Sequence, residues 1–141
     1  GEAVRKVLEV LRAVCIGRLI VVVGAAGERD PGRRYSVGRA AATGADFAIF
    51  TNEDPRSEDP GEIVREIGRH AEGVGRVRGT DFVEIEERRE AIAHAVRMAK
   101  PDDVLVILGR VHPSVSFFRR PQQFSCTEDK TRLDFYEAGR F

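Results

Sequence analysis

Arg18-Leu19-Ile20-Val21-Val22-Val23, running directly into Gly24-Ala25-Ala26-Gly27-Glu28-Arg29-Asp30-Pro31-Gly32-Arg33-Arg34, is the stretch that decides the fold. Its first half is β-branched and continuously apolar instead of alternating, which is the pattern of a strand buried on both faces. Its second half carries glycines and charges, so the chain leaves that strand through an open, polar loop. Upstream, Val4, Val7, Leu8, Leu11 and Val14 recur at helical spacing and predict an amphipathic helix that Gly17 ends. Downstream, small residues across 37–43 predict a short, closely packed helix, and Phe47-Ala48-Ile49-Phe50 predicts a second buried strand.

The same alternation continues. Thr51-Asn52-Glu53-Asp54-Pro55-Arg56 is a polar loop, and Asp59-Pro60-Gly61-Glu62 announces a helix. Asp59 suits the cap, Pro60 the first helical position, and Glu62 the spacing of a capping box. Ile63, Val64 and Ile67 form that helix's apolar face. Phe82-Val83-Glu84-Ile85 predicts a short strand, residues 86–99 a helix with Ile92, Val96 and Ala99 inward, and Val104-Leu105-Val106-Ile107-Leu108 a fourth strand ending at Gly109-Arg110-Val111-His112. Strands alternating with helices predict an α/β fold: a Rossmann-like, mostly parallel sheet with helices on both faces. In such sheets ligands meet the loops at the carboxyl ends of the strands. The loops after Val23, Phe50 and Leu108 are the polar or glycine-bearing ones. Residues 1–112 are expected to form this domain. Residues 113–141 show no clear period and are expected to be an irregular, divergent tail of it.

Composition narrows the function classes. The chain has 141 residues, 42% hydrophobic and 33% charged, with 23 basic and 23 acidic side chains. That is a globular balance with no net charge, so nothing in the total favours nucleic acid or a membrane surface as partner. Cys15 and Cys126 stand apart without metal-ligand spacing, which points to a reducing compartment and to no metal site. No apolar run approaches the roughly 20 residues of a membrane span. A helical pattern starts at once after Gly1, which reads as a piece of a longer protein.

The loop from Gly24 to Arg34 is neither G-x-G-x-x-G nor G-x-x-x-x-G-K-[ST]. Arg29, Arg33 and Arg34 would welcome phosphate or carboxylate; a glycine turn with solvated arginines accounts for the same residues. Glu53, Asp54 and Arg56 place two carboxylates and a guanidinium at a strand end, suited to a zwitterion, though a polar turn before a helix is the plainer reading. His112 stands as a candidate base or ligand, or as an ordinary loop residue. His70 and His94 are read as structural.

Taken in order, these segments resemble the C-terminal domain of the Mur ligase family, most nearly that of its UDP-N-acetylmuramoyl-tripeptide synthetases. Residues 18–24 with Gly27-Glu28-Arg29-Asp30 and Arg33-Arg34 look like that family's strand and G-[DE]-R-D-x-x-[KR]-R loop. Thr51 to Arg56, followed by Ser57-Glu58-Asp59-Pro60, looks like its D-N-P-R-x-E-x-P segment. Arg88-Arg89-Glu90-Ala91-Ile92 and residues 102–108 match its next helix and strand. The likeness covers roughly residues 3–112.

The resemblance implies an ATP-dependent ligase of peptidoglycan synthesis, working in the bacterial cytoplasm. ATP phosphorylates the carboxylate of a UDP-muramoyl-dipeptide, and the amine of an added amino acid, meso-diaminopimelate or lysine, attacks the acyl phosphate and displaces phosphate. ATP and Mg would be held by a central domain, and the nucleotide sugar by an N-terminal one; both are absent here, so this chain alone is expected to be inactive. It also implies that Gly27, Arg29 and Asp30 face the nucleotide. Arg34, Arg56, Glu53, Asp54 and Gly109 would bind the amino acid, with Arg33 and His112 as further candidates. The chain departs from the family at Glu53-Asp54, where D-N is usual. It departs again at Gly109-Arg110-Val111-His112-Pro113, where G-K-G-H-E is usual. Those departures leave a second expectation, a non-catalytic binding module that kept the fold.

Overall fold

The computed structural model describes residues 1–109 and the backbone of residues 114–117. Its strands are β1 (Leu19–Val23), β2 (Phe47–Phe50), β3 (Phe82–Glu84), β4 (Val104–Ile107) and β5 (Ser114–Phe117). Its helices are α1 (Glu2–Val14), α2 (Gly32–Gly44), α3 (Pro60–Glu72) and α4 (Arg88–Met98). The sheet runs β3-β2-β1-β4-β5, with the first four strands parallel and β5 antiparallel to β4. This is the expected α/β architecture.

The continuous apolar run of β1 has a simple use. Leu19, Val21 and Val23 turn to a core shared with Val4, Leu8 and Leu11 of α1, Val37 and Ala41 of α2, and Ile63, Val64 and Ile67 of α3. Ile20 and Val22 turn to the opposite core, with Ala91 and Ala95 of α4. Both faces are covered, so alternate residues are apolar for opposite partners. Val23 pairs with Phe50, Phe50 with Glu84, and Val22 with Ile107, so the carboxyl ends of the four parallel strands finish at one edge. Chain order reverses between β1 and β4, which puts a topological switch point beside the loop after β1.

Several boundaries differ from the sequence expectation. Arg18 precedes β1, because its guanidinium is engaged by Asp103 and by the Met98 carbonyl, each at 2.8 Å. α1 ends at Val14, before Gly17, with Cys15 already extended. α2 starts at Gly32, five residues before Val37. There Asp30 receives the Gly32 amide on its side chain (2.9 Å) and the Arg33 amide on its carbonyl (2.9 Å), starting the helix early. Asp59 caps α3 by accepting from the Gly61 amide at 2.9 Å, as expected, but Glu62 turns to Arg65 at 2.7 Å instead of back to the cap. α4 starts at Arg88, not Glu86, capped by Glu87, which accepts from the Glu90 amide at 2.7 Å. The largest correction is β5. Ser114-Val115-Ser116-Phe117 was expected to be irregular, yet it alternates polar and apolar residues and adds an edge strand to β4. Residues 110–113 and 118–141, including His112, Pro113 and Cys126, lie outside the described residues.

Candidate functional site

Two loops at the carboxyl edge of the sheet are pinned together. The Gly27 amide donates to the Asp54 carbonyl at 2.7 Å. A methyl group on Gly27 would stand 2.6 Å from the Pro55 carbonyl carbon and closer still to its oxygen, so only glycine lets the backbones meet. The Glu28 amide donates to Glu58 Oε1 at 3.1 Å, and Ser57 donates to the Glu28 carboxylate through its hydroxyl and, at 3.3 Å, its amide. Glu28 and Arg56 both adopt left-handed backbone, at φ 54° and 51°. That region is uncommon for residues other than glycine and is held by surrounding contacts. Gly27→Ala is therefore expected to lower stability by about 1–3 kcal/mol through overpacking, read by denaturant unfolding. An unchanged midpoint would refute this close approach.

Arg34 lies in the first turn of α2 and is 9% exposed. Its Nη1 meets Glu66 of α3 at 2.7 Å and its Nη2 meets Glu58, so both ends of the guanidinium fork are engaged inside the protein. The Glu28 amide and then Arg34 hold the Glu58 carboxyl below its usual value. Arg56 instead is exposed; its amide donates to Asp54 Oδ1 at 3.3 Å, and its Nη1 lies 4.0 Å from the Glu28 carboxylate. The two arginines expected to grip one carboxylate thus differ: Arg34 is a buried bracket and Arg56 an outward-facing cation. Glu53 and Asp54 are half-buried beside it.

A cleft of about 450 Å³ opens next to this pair of loops, lined by Asn52, Glu53, Glu86, Glu87 and Arg88. The backbone amide of Asn52 and the hydroxyl of Thr51 donate to the Glu86 carbonyl at 3.1 and 3.3 Å, tying the loop after β2 to the segment before α4. Arg88 reaches across to the Leu108 carbonyl at 3.2 Å, and a methyl on Gly109 would come 3.1 Å from its Cζ. Gly109 therefore lies against the cleft through Arg88. Asn52 Oδ1 and Arg88 Nη1 are buried without a hydrogen-bond partner among the described residues. Sequence reading did not single out Asn52 or Arg88 as site residues. The match at Arg88-Arg89-Glu90-Ala91-Ile92 was the signal for Arg88, taken there only as a helix.

Gly27, Arg29, Asp30 and Arg33 sit on the loop after β1 and the start of α2, where all but the buried Gly27 are exposed. The first amides of α2 are already taken: Gly32 by the Asp30 side chain, Arg33 by the Asp30 carbonyl at 2.9 Å, and Arg34 by the Pro31 carbonyl at 3.0 Å. A helix start with free amides makes a phosphate cradle; this one is filled by its own loop. What this segment leaves exposed are the side chains of Arg29, Asp30 and Arg33.

A family model described as "Mur ligase, glutamate ligase domain" matches residues 1–111. The UDP-N-acetylmuramoyl-L-alanyl-D-glutamate--2,6-diaminopimelate ligase of Caldanaerobacter subterraneus subsp. tengcongensis is 40% identical over 111 residues, covering 79% of this chain and 22% of that protein. The ligase of the same name from Brucella melitensis biotype 1 is 43% identical over 111 residues, 79% of this chain and 21% of that protein. A solved UDP-N-acetylmuramoyl-L-alanyl-D-glutamate--2,6-diaminopimelate ligase superposes with a TM-score of 0.69 at 35% identity, over 79% of this chain and 22% of its own. The chain thus spans about a fifth of the length of these relatives. From the family match across residues 1–111 and the loops it brings to one sheet edge, this chain belongs to the Mur ligase family, as its C-terminal domain.

Proposed function

We propose that this chain is the amino-acid-binding and ATP-closing domain of a ligase that adds meso-diaminopimelate to a UDP-N-acetylmuramoyl-dipeptide. The observation that carries the reading is Arg56. Its backbone is held left-handed at φ 51° in the loop after β2, with its side chain exposed and Glu53 and Asp54 half-buried in the same loop. A guanidinium next to two carboxylates suits a ligand with both carboxylate and ammonium groups. Meso-diaminopimelate carries a second such head, and the named relatives are diaminopimelate ligases; lysine lacks the second carboxylate.

In this reading Arg56 forks onto a carboxylate of the amino acid, while Glu53 and Asp54 attract its ammonium. Gly109 keeps the wall of the pocket thin beside Arg88. Arg34 serves the pocket from behind, and Arg33 is a further candidate, as is His112, which lies outside the described residues. Gly27, Arg29 and Asp30 face the nucleotide. The filled start of α2 supports a division of labour in which ATP and its Mg are held by domains outside this chain. ATP would supply the activation of the acceptor carboxylate; this domain orients the amine. Such a reaction belongs to the cytoplasm, and no helix among the described residues is long and apolar enough to cross a membrane.

Calorimetric titration of the chain with meso-diaminopimelate and, separately, lysine tests the reading. Diaminopimelate is expected to bind and lysine to bind more weakly. Arg56→Ala should weaken diaminopimelate binding by about tenfold or more, the scale of a lost charge-assisted hydrogen bond. Equal binding of both ligands would overturn the assignment of Arg56 to a carboxylate. Binding of neither would favour a module that kept the fold without the pocket.

A further inference from the structure

We propose that Glu58 is a positioning residue of this site, tying the loop after β1 to the loop after β2 so that the two move as one unit. The inference rests on the reading above for what the two loops bind; the tie itself rests on geometry. Besides Glu58, the loops share the Gly27–Asp54 backbone bond at the buried Gly27, the close approach of Gly24 to Thr51, and the exposed contacts of Ser57 and Arg56 with Glu28. The buried contacts hold the bases of the loops, whereas exposed contacts such as those of Ser57 and Arg56 separate at little free-energy cost.

Glu58 alters that balance because its two oxygens take different partners. Oε1 takes the Glu28 amide at 3.1 Å, and Oε2 takes the guanidinium of Arg34. Arg34 is an anchored partner: it is buried between α2 and α3, and Glu66 holds its other nitrogen at 2.7 Å. The fork therefore transmits the position of the helix pair to the Glu28 amide, which an exposed, mobile arginine would not do. Glu28 passes it on. Its carboxylate accepts from Ser57 and lies 4.0 Å from Arg56 Nη1, closing a ring from Glu58 through Glu28 and Ser57 back to Glu58. One left-handed residue, Glu28, sits in this ring, and a second, Arg56, lies beside it. Their conformation, unfavourable in isolation, is what points Arg29 and Arg56 outward from the same support. A ligand carboxylate that meets Arg56 competes with Glu28, so occupation of the amino-acid loop is felt at the loop that faces the nucleotide.

The test uses amide hydrogen exchange on the whole chain, then titration. In Glu58→Ala the Gly27 and Glu28 amides are expected to exchange about tenfold faster, the scale of one lost charge-assisted bond. The amides of Val21, Val22 and Val23 should keep their wild-type rates. Glu58→Gln, which keeps an acceptor for the Glu28 amide but not the charge on Arg34, should fall between. Glu62→Gln, on the exposed face of α3, should change nothing. Unchanged rates at Gly27 and Glu28 would overturn the proposal, and so would acceleration that spreads through β1, since that marks a general loss of stability. Meso-diaminopimelate should bind Glu58→Ala about tenfold more weakly than wild type, with Glu58→Gln between. Faster loop exchange with unchanged affinity would overturn the positioning role. No uptake by the wild-type chain would fell the ligand reading instead, and the exchange rates would then decide alone whether Glu58 ties the loops.

Discussion

Phe50→Ala is expected to lower the unfolding free energy by about 3–5 kcal/mol, the cost of removing a fully buried aromatic and leaving its cavity. Phe50 has no exposed surface, packs on Phe82 with ring centroids 5.4 Å apart, and ends β2 immediately before the loop that carries Arg56. Its neighbours belong to strands β1 and β3 and to the core under α3, so they cannot close over the gap without moving the sheet. On a domain whose whole stability is of order 5–15 kcal/mol, such a loss removes a large part of it and raises the unfolded population by about two to four orders of magnitude. Denaturant unfolding followed by far-UV circular dichroism reads it. Phe50→Leu, which refills much of the volume, should cost about 1.5 kcal/mol or less. A Phe50→Ala midpoint close to wild type would mean that β2 is not seated as described, and the loop geometry built on it would fall too.

Asp103→Ala is expected to cost about 3 kcal/mol, and the reason is what it abandons. Asp103 is 4% exposed and accepts from the amides of Arg18 and Lys100, each at 2.8 Å, and from the Arg18 guanidinium. The Arg18 side chain is partly exposed, so most of the cost comes from leaving two backbone amides without partners where β1 and β4 begin. Burial pushes the Asp103 carboxyl up, but the Lys100 amide and Arg18 outweigh it and hold the group below its ordinary value. A carboxyl lowered by folding stabilises the native state fully above its unfolded value near pH 4 and ceases to do so as pH falls through its lower folded value. Acid unfolding should therefore show a limb below about pH 4 that flattens in Asp103→Asn. Asp46, which accepts from the Leu19 amide at 2.7 Å and from Arg12, is also lowered despite its burial and should keep part of that limb. An acid limb identical in Asp103→Asn and wild type would contradict this account.

The alternation of apolar runs with helical periods was enough to read the α/β class, because the strands buried on both faces leave an unbroken β-branched signature. The start of α3 was equally legible, since Asp59-Pro60 acts through the nearest few residues. The early start of α2 was harder. Asp30, which lies just before it and takes the Gly32 amide, belongs to a loop whose glycines and charges read as ligand chemistry, and only the closed geometry turns that aspartate to the amide. β5 carried its signal in a period of two over four residues, too short to stand out beside longer segments.

The site divides in the same way. From its residues alone this chain determined an α/β sheet, polar loops at the strand ends, and a likeness to one ligase family, because periodicity and motif order are written along the chain. Tertiary structure alone decided which charges face outward. Arg34 and Arg56 look equivalent in sequence, yet one is spent between Glu58 and Glu66 and the other is exposed. Asn52, Arg88 and Gly109 meet around one cleft although 57 positions separate the first from the last. The physical reason is that burial and pairing depend on which helix lies across a given strand end. That partner is chosen by the packing of the sheet and not by neighbours in the chain.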